Sequence, residues 1–279
     1  MNKREKIIIG NWKLNGSKQL MQDTLVELGQ AINPHHAANN FTLAICSPSI
    51  YVGEMIQLAM QISNKLLIGC KNINTDPHTF TGELSAHTAK AMGCKLCLVG
   101  HAERRTALNE GNYSYHIKVK QLLAAGVSPA LCIGETLEEK LAGKTYTVLH
   151  QQITQALAGI TLGDNTPLYI VYEPAYAISS SQALTPVFAQ AVHADIRRLL
   201  SDILGATQAN KIAIIYGGSV NHDNALNLIA QPDVDGLLIG CANSNLQHFR
   251  AICNKVFSLA PVFNYATERK DYENYMDAS

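Results

Sequence analysis

The sequence predicts an α/β chain whose strands and helices alternate about eight times and close into one parallel (β/α)8 barrel. Short apolar runs recur along it, among them Ile7-Ile8-Ile9, Leu96-Cys97-Leu98-Val99 and Tyr169-Ile170-Val171-Tyr172. Runs this short and continuous suit strands buried on both faces of a parallel sheet. Several of them end in a polar or glycine-rich motif: Gly10-Asn11-Trp12-Lys13, Gly100-His101-Ala102-Glu103, Glu173-Pro174 and Gly217-Gly218-Ser219. The carboxyl ends of the strands are where such a barrel collects its chemistry. An open doubly wound sheet has the same periodicity. The closed barrel is preferred because eight alternations over roughly 255 residues match its size.

In chain order, strands are expected over 6–11, 41–46, 66–70, 95–100, 130–134, 168–173, 212–216 and 236–240. The first stops at Gly10-Asn11. The sixth stops before Pro174, which forces the chain out of the strand, and the seventh stops at Gly217-Gly218. Helices are expected over 18–32, 113–125, 137–159, 187–204 and 243–257. Their apolar residues recur three and four apart, as in Val187, Ala191, Val192, Ile196, Leu199 and Leu200. No Pro/Ser-rich linker, low-complexity tract or repeat divides the chain, so residues 1–279 read as one domain. The barrel would occupy about 6–260, with a polar extension over 261–279.

Twenty-two basic and 22 acidic side chains cancel, which leaves no basic footprint for nucleic acid. The charged start Met1 to Lys6 leads into only three isoleucines before Gly10, too few for a signal peptide. No apolar run approaches the ~18 residues of a membrane helix, so a cytoplasmic protein is expected. The seven cysteines are scattered, mostly within apolar runs, as suits reduced core thiols. Cys94 and Cys97, with His101 nearby, have the spacing of a zinc half-site. On a strand, however, positions three apart face opposite ways, and no second ligand pair follows. No metal and no organic cofactor are expected.

Four polar groups stand at strand ends. Glu173 would serve as a general base if burial raised its pKa, or as a strand-end partner for a Lys or Arg. His101 opens a helical stretch, whose N-terminus disfavours a protonated ring, so it would act as a neutral hydrogen-bond donor or be simply structural. Lys13, with Asn11 two residues earlier on the same face, would stabilise an oxyanion and attract an anion. Otherwise Lys13 is a loop-edge lysine that pairs with Glu103. Gly217-Gly218-Ser219 and Gly240-Cys241 lead from the last two strands toward helices, a common place for barrels to bind phosphate. Together these groups suggest proton transfer on a phosphorylated substrate.

The ordered motifs Gly10 to Gly16, Phe80-Thr81-Gly82-Glu83, His101 to Arg105, Cys132 to Thr136, Tyr172-Glu173-Pro174, Ala189 to Ala194, Tyr216 to Val220 and Asp233 to Gly236 resemble the triosephosphate isomerase family. The resemblance spans Gly10 to about Phe257. It implies a cofactor-free interconversion of dihydroxyacetone phosphate and glyceraldehyde 3-phosphate, serving glycolysis and gluconeogenesis. Glu173 would move the carbon-bound proton through an enediolate, and His101 would polarise the carbonyl and shuttle protons between the oxygens. Lys13 and Asn11 would stabilise the oxyanion, and Glu103 would orient Lys13. Backbone amides of Ser179, Ser219, Gly240 and Cys241 would hold the phosphate. A homodimer is implied, with Thr81 on a loop from about 72 to 85 supporting Asn11 and Lys13 across the interface. The chain departs from the family in four places. Tyr176 stands where tryptophan is usual, and Ser179-Ser180-Ser181 where Gly-Thr-Gly is usual. Cys241 replaces a second glycine, and Lys71 replaces a glutamine before Asn72. Three alternatives stand beside this reading. One is an impaired paralogue that binds a small phosphate with little turnover. Another is a different phosphate-binding barrel enzyme such as a Schiff-base aldolase using Lys13. The third is a purely structural or interaction protein, which would leave the polar residues at the mouth unexplained.

Overall fold

The computed structural model describes residues 4–31, 41–63, 65–163, 166–179, 182–240 and 246–258. Eight strands pair in chain order, all parallel, and the last closes onto the first. They are β1 (Lys6–Asn11), β2 (Phe41–Cys46), β3 (Leu66–Cys70), β4 (Leu96–Val99), β5 (Ser128–Ile133), β6 (Tyr169–Tyr172), β7 (Ala213–Tyr216) and β8 (Gly236–Gly240). The helices are α1 (Lys18–Ala31), α2 (Ser49–Ile62), α3 (Ala86–Met92), α4 (Ala102–Ala107), α5 (Asn112–Ala125), α6 (Leu137–Leu141), α7 (Thr145–Leu157), α8 (Ala175–Ser179), α9 (Pro186–Leu204), α10 (Ala206–Ala209), α11 (Ala225–Ile229) and α12 (Leu246–Ser258).

Side chains alternate across each strand, and this alternation separates two apolar cores. Ile7, Ile9, Ala44, Cys46, Leu96, Leu98, Ala130, Cys132, Tyr169, Val171, Ala213, Ile215 and Leu238 fill the barrel interior. Their neighbours Ile8, Leu43, Ile45, Cys97, Val99, Leu131, Ile170 and Ile214 pack outward against the helices. The same parity aims the site. Asn11 follows Ile7 and Ile9, and Glu173 follows Tyr169 and Val171, so both point inward at the carboxyl end. His101 has the wrong parity after Leu96 and Leu98. Gly100, in the left-handed region at φ 75°, breaks the alternation before it.

The closed sheet matches the expected strands to within two residues. Strand β5 begins at Ser128 and runs through Pro129, whose missing N–H masks a strand start. The helix expected over 137–159 is two helices, α6 and α7, parted by a turn with Gly143 at φ 67°. A capping box at Thr136 and Glu139 starts the first of them. Helix α2 was not anticipated because its apolar residues do not form one stripe: Val52, Met55 and Ala59 are buried, while Ile50 and Met60 are exposed. Helix α3 is only seven residues long and is recognisable by its Ser85 cap. The expected extension over 261–279 lies outside the described residues.

Six cysteines are buried with no disulfide among the described residues, and Cys241 lies outside them. Cys94 precedes β4, so strand alternation does not apply to it, and both Cys94 and Cys97 face the helix-side core. Among the described residues no group of His, Cys, Asp and Glu could hold a metal, and no helix is long and apolar enough to cross a membrane.

Candidate active site

Glu173 follows β6 and is 2% exposed. Gly217 leaves it room, since a Cβ there would stand 2.8 Å from Glu173 Cγ. Glu173 Oε2 accepts the backbone N–H of Ala102 at 3.1 Å. Its Oε1 is 3.2 Å from His101 Nε2, but no hydrogen bond to Oε1 is made among the described residues. The pairing with Lys or Arg considered for Glu173 does not occur among the described residues. The Cys132 thiol beside it is pushed far up, by burial first and then by the Glu173 charge, and so stays neutral. The result is a buried carboxylate with one oxygen anchored and the other open.

His101 caps α4. Its Nδ1 accepts the backbone N–H of Glu103 at 3.3 Å, which places the ring proton on Nε2, the nitrogen facing Glu173. Arg105 braces this turn. Its Nε donates to Gly100 O at 3.1 Å, one terminal nitrogen to Cys132 O at 2.8 Å, and the other to Asn112 Oδ1 at 2.7 Å. The guanidinium lies 4.3 Å over the Tyr115 ring. No local pattern singles out Arg105, because its contacts reach back to Gly100 and across to β5.

Lys13 is held in the left-handed region at φ 49°, uncommon for a residue with a side chain. Its N–H donates to Asn11 Oδ1 at 3.0 Å, so Asn11 presents N–H donors to the mouth. Lys13 Nζ is 2.6 Å from Glu103 Oε1. Burial alone would raise the Glu103 carboxyl. The Lys13 hydrogen bond and the nearby positive charges outweigh it and hold that carboxyl below its usual range. Asn11 pairs with Gly240 in register, and a Cβ on Gly240 would lie 3.8 Å from Lys13 Cε. Thus Glu173, His101, Glu103, Lys13, Asn11 and Gly240 gather at one mouth.

The loops expected to hold phosphate are described in part. Ser219 also has a left-handed φ of 48°, and its hydroxyl donates to Ala177 O at 2.6 Å. Tyr216 OH accepts the N–H of Leu184 at 2.8 Å, so the end of β7 holds both ends of the stretch that follows Glu173. Ser179 ends α8, whereas Ser180, Ser181 and Cys241 lie outside the described residues. Thr81 is exposed on the 71–85 loop, and no hydrogen bond joins it to Asn11 or Lys13 among the described residues of this one chain. Tyr176 lies 4.2 Å beneath Lys140 Nζ.

Comparison with known proteins agrees with this geometry. The family described as Triosephosphate isomerase matches residues 6–256. The triosephosphate isomerase of Marinobacter nauticus is 36% identical over 251 residues, covering 90% of this chain and 97% of its own. That of Protochlamydia amoebophila is 38% identical over 256 residues, covering 90% and 93%. The Saccharomyces cerevisiae enzyme is 39% identical over 235 residues, covering 84% and 92%. This chain belongs to the triosephosphate isomerase family.

Proposed function

We propose that the chain interconverts dihydroxyacetone phosphate and D-glyceraldehyde 3-phosphate by moving a proton between adjacent carbons through an enediolate. The observation that carries this reading is Glu173 Oε1, buried, unbonded, and 3.2 Å from the protonated nitrogen of His101. In this reading Oε1 takes the carbon-bound proton while His101 Nε2–H donates to the carbonyl oxygen. Proton return to the neighbouring carbon completes the exchange without a cofactor. Lys13 and the Asn11 amide lie where charge develops on oxygen, and Glu103 orients Lys13. The backbone amides of Ser179, Ser219, Gly240 and Cys241 receive the phosphate, as serine and cysteine keep the N–H that the chemistry uses. The low-turnover alternative rests on the departures at Ser179–Ser181 and Cys241, of which Ser180, Ser181 and Cys241 lie outside the described residues. It is not favoured, since Glu173, His101 and Lys13 stand together.

The chain acts in this reading as a cytoplasmic homodimer in glycolysis and gluconeogenesis. Leu14 is 97% exposed beside Lys13, and Phe80 is 71% exposed beside Thr81, at a strained φ of 121°. A second copy covering these residues would remove both from water and bring Thr81 toward Asn11 and Lys13 of its partner. The test is glyceraldehyde 3-phosphate isomerisation by the purified protein beside Glu173→Gln, with mass measured by light scattering. Fast turnover that collapses in the variant supports the reading. A folded, dimeric wild type with negligible turnover sinks it.

A further inference from the structure

Lys71 follows β3 and opens the loop that carries Thr81. It is half-buried, and its Nζ donates to the backbone carbonyl oxygen of Lys13. The strained turn at Lys13 is therefore held at three points: its N–H by Asn11, its ammonium by Glu103 and its carbonyl by Lys71. An L-residue leaves the left-handed region when such contacts are removed. Lys71 also differs from two of the cations nearby, though like Arg105 it bonds only neutral groups. Arg104 and Lys118 share the Glu110 carboxylate, whereas Lys71 has no carboxylate within ion-pair distance among the described residues. Burial accordingly lowers its pKa. A neutral amide would suffice to bond a carbonyl, so an ammonium here adds a charge that the contact itself does not require.

We propose that Lys71 is a positioning residue that holds Lys13 in its left-handed conformation, and that its uncompensated positive charge strengthens the capture of the doubly negative triose phosphate. The proposal rests on the isomerase reading for its substrate, and its positioning half stands on geometry alone. Holding the turn fixes where Lys13 Nζ meets developing charge, which affects kcat. The unscreened charge affects encounter and binding, so it acts on KM and fades with salt.

Two variants separate these effects: Lys71→Met removes donor and charge, and Lys71→Gln keeps a donor without charge. Steady-state isomerisation is measured for each between about 10 mM and about 500 mM salt. Lys71→Met should lose about tenfold in kcat, and Lys71→Gln should recover it to within about twofold. Both should raise KM about threefold or more at low salt, and both should flatten its rise with salt. Wild-type kcat in a folded Lys71→Met overturns the positioning role. Wild-type KM and salt slope in Lys71→Gln overturn the role of the charge. If Lys71→Met does not fold, Lys71→Arg replaces it: the longer, planar donor should misplace Lys13 and lower kcat while keeping the low-salt KM, and an unchanged kcat overturns the positioning role. A wild type without isomerase activity would overturn the isomerase reading instead. Two readouts then still judge Lys71: a crystal structure of Lys71→Met should show Lys13 leaving the left-handed region, and inorganic phosphate should bind more weakly to Lys71→Gln than to wild type at low salt.

Discussion

The two ends of this barrel use the same kinds of residue to opposite ends. At the floor, where the strands begin, Asp235 is 1% exposed and each carboxylate oxygen is engaged. Oδ1 accepts from Arg4 Nε at 2.8 Å, and Oδ2 accepts from Arg197 and from the Ile214 N–H. Arg197 also donates to the carbonyls of Ala209 and Ile212, and Lys6 to those of Ile229 and Val234. At the mouth, Glu173 is almost as buried, yet Oε1 is left without a hydrogen bond. Lys13 and Ser219 hold left-handed backbone there as well. A buried charge that is fully answered ties elements together, whereas one left partly open has bonding capacity for a ligand. The floor specifies the fold, and the mouth keeps its unmet valence for chemistry.

The widest separation between the ends should come from Glu173→Gln. It keeps volume and removes the base, so kcat should fall by about 10³-fold or more, while stability shifts by less than about 1 kcal/mol. Rate assays and urea denaturation check both halves. Asp235→Ala should do the reverse. It takes the short, buried partner from Arg197, which keeps only the longer 3.5 Å pair with Asp233. The loss costs about 3 kcal/mol of unfolding free energy, with kcat of the folded fraction within about twofold of wild type. An Asp235→Ala enzyme that stayed stable but lost turnover would break the comparison.

Two buried histidines sharpen it further. His101 Nδ1 accepts from a backbone N–H, so its proton sits on Nε2 and faces Glu173. His193 Nδ1 lies 3.2 Å from Asp233 O, which can only accept, so there the proton sits on Nδ1. Its Nε2 has no partner among the described residues. Burial, the leading cause, lowers the pKa of His193 to about 4. The ordinary histidine value is about 6.5, so between these values the unfolded chain binds the extra proton and the folded chain does not. The stability is therefore complete above about pH 6.5 and is lost as pH falls toward 4, by roughly 3 kcal/mol at most. Urea midpoints measured from pH 7 to pH 4 should show this slope in wild type and a shallower one in His193→Gln. An equal slope in the two proteins would assign the acid sensitivity elsewhere.

Much of the barrel could be read from the chain because strand parity is local. Ile7-Ile8-Ile9 and Tyr169 to Tyr172 announce buried strands, and counting by two from Ile7 or Tyr169 reaches Asn11 and Glu173. His101 is legible as the residue that opens a helix after a strand, but its aim is not, because the turn that sets it depends on Gly100 and on Arg105 reaching Cys132 O. Lys71 lies 58 residues from the carbonyl it bonds, and no periodicity signals such a contact. The Ala102 N–H that anchors Glu173 was hidden for a different reason: every residue but proline has that group, and only the fold selects which one is used.

The lip of the mouth tests whether the contrast is graded rather than absolute. Lys140 Nζ lies 4.2 Å from the centroid of Tyr176 and 5.1 Å from that of Phe188, one ring near the start of the 174–188 stretch and the other near its end. A cation shared by two rings joins the ends of this stretch, and Tyr216 and Ser219 add neutral bonds from the barrel side. Such a contact is weaker than the answered charges of the floor, about 0.5–1 kcal/mol at an exposed site. Lys140→Met keeps the aliphatic bulk and removes the cation. It should lower the unfolding free energy by no more than about 1 kcal/mol and change kcat or KM by no more than about twofold, because Lys140 is not among the groups gathered around Glu173, His101 and Lys13. Urea denaturation and steady-state rates, compared between wild type and Lys140→Met, check both halves. A loss as large as that of Asp235→Ala would mean that the lip belongs with the floor, and that the open part of the mouth is confined to Glu173, His101 and the Lys13 turn.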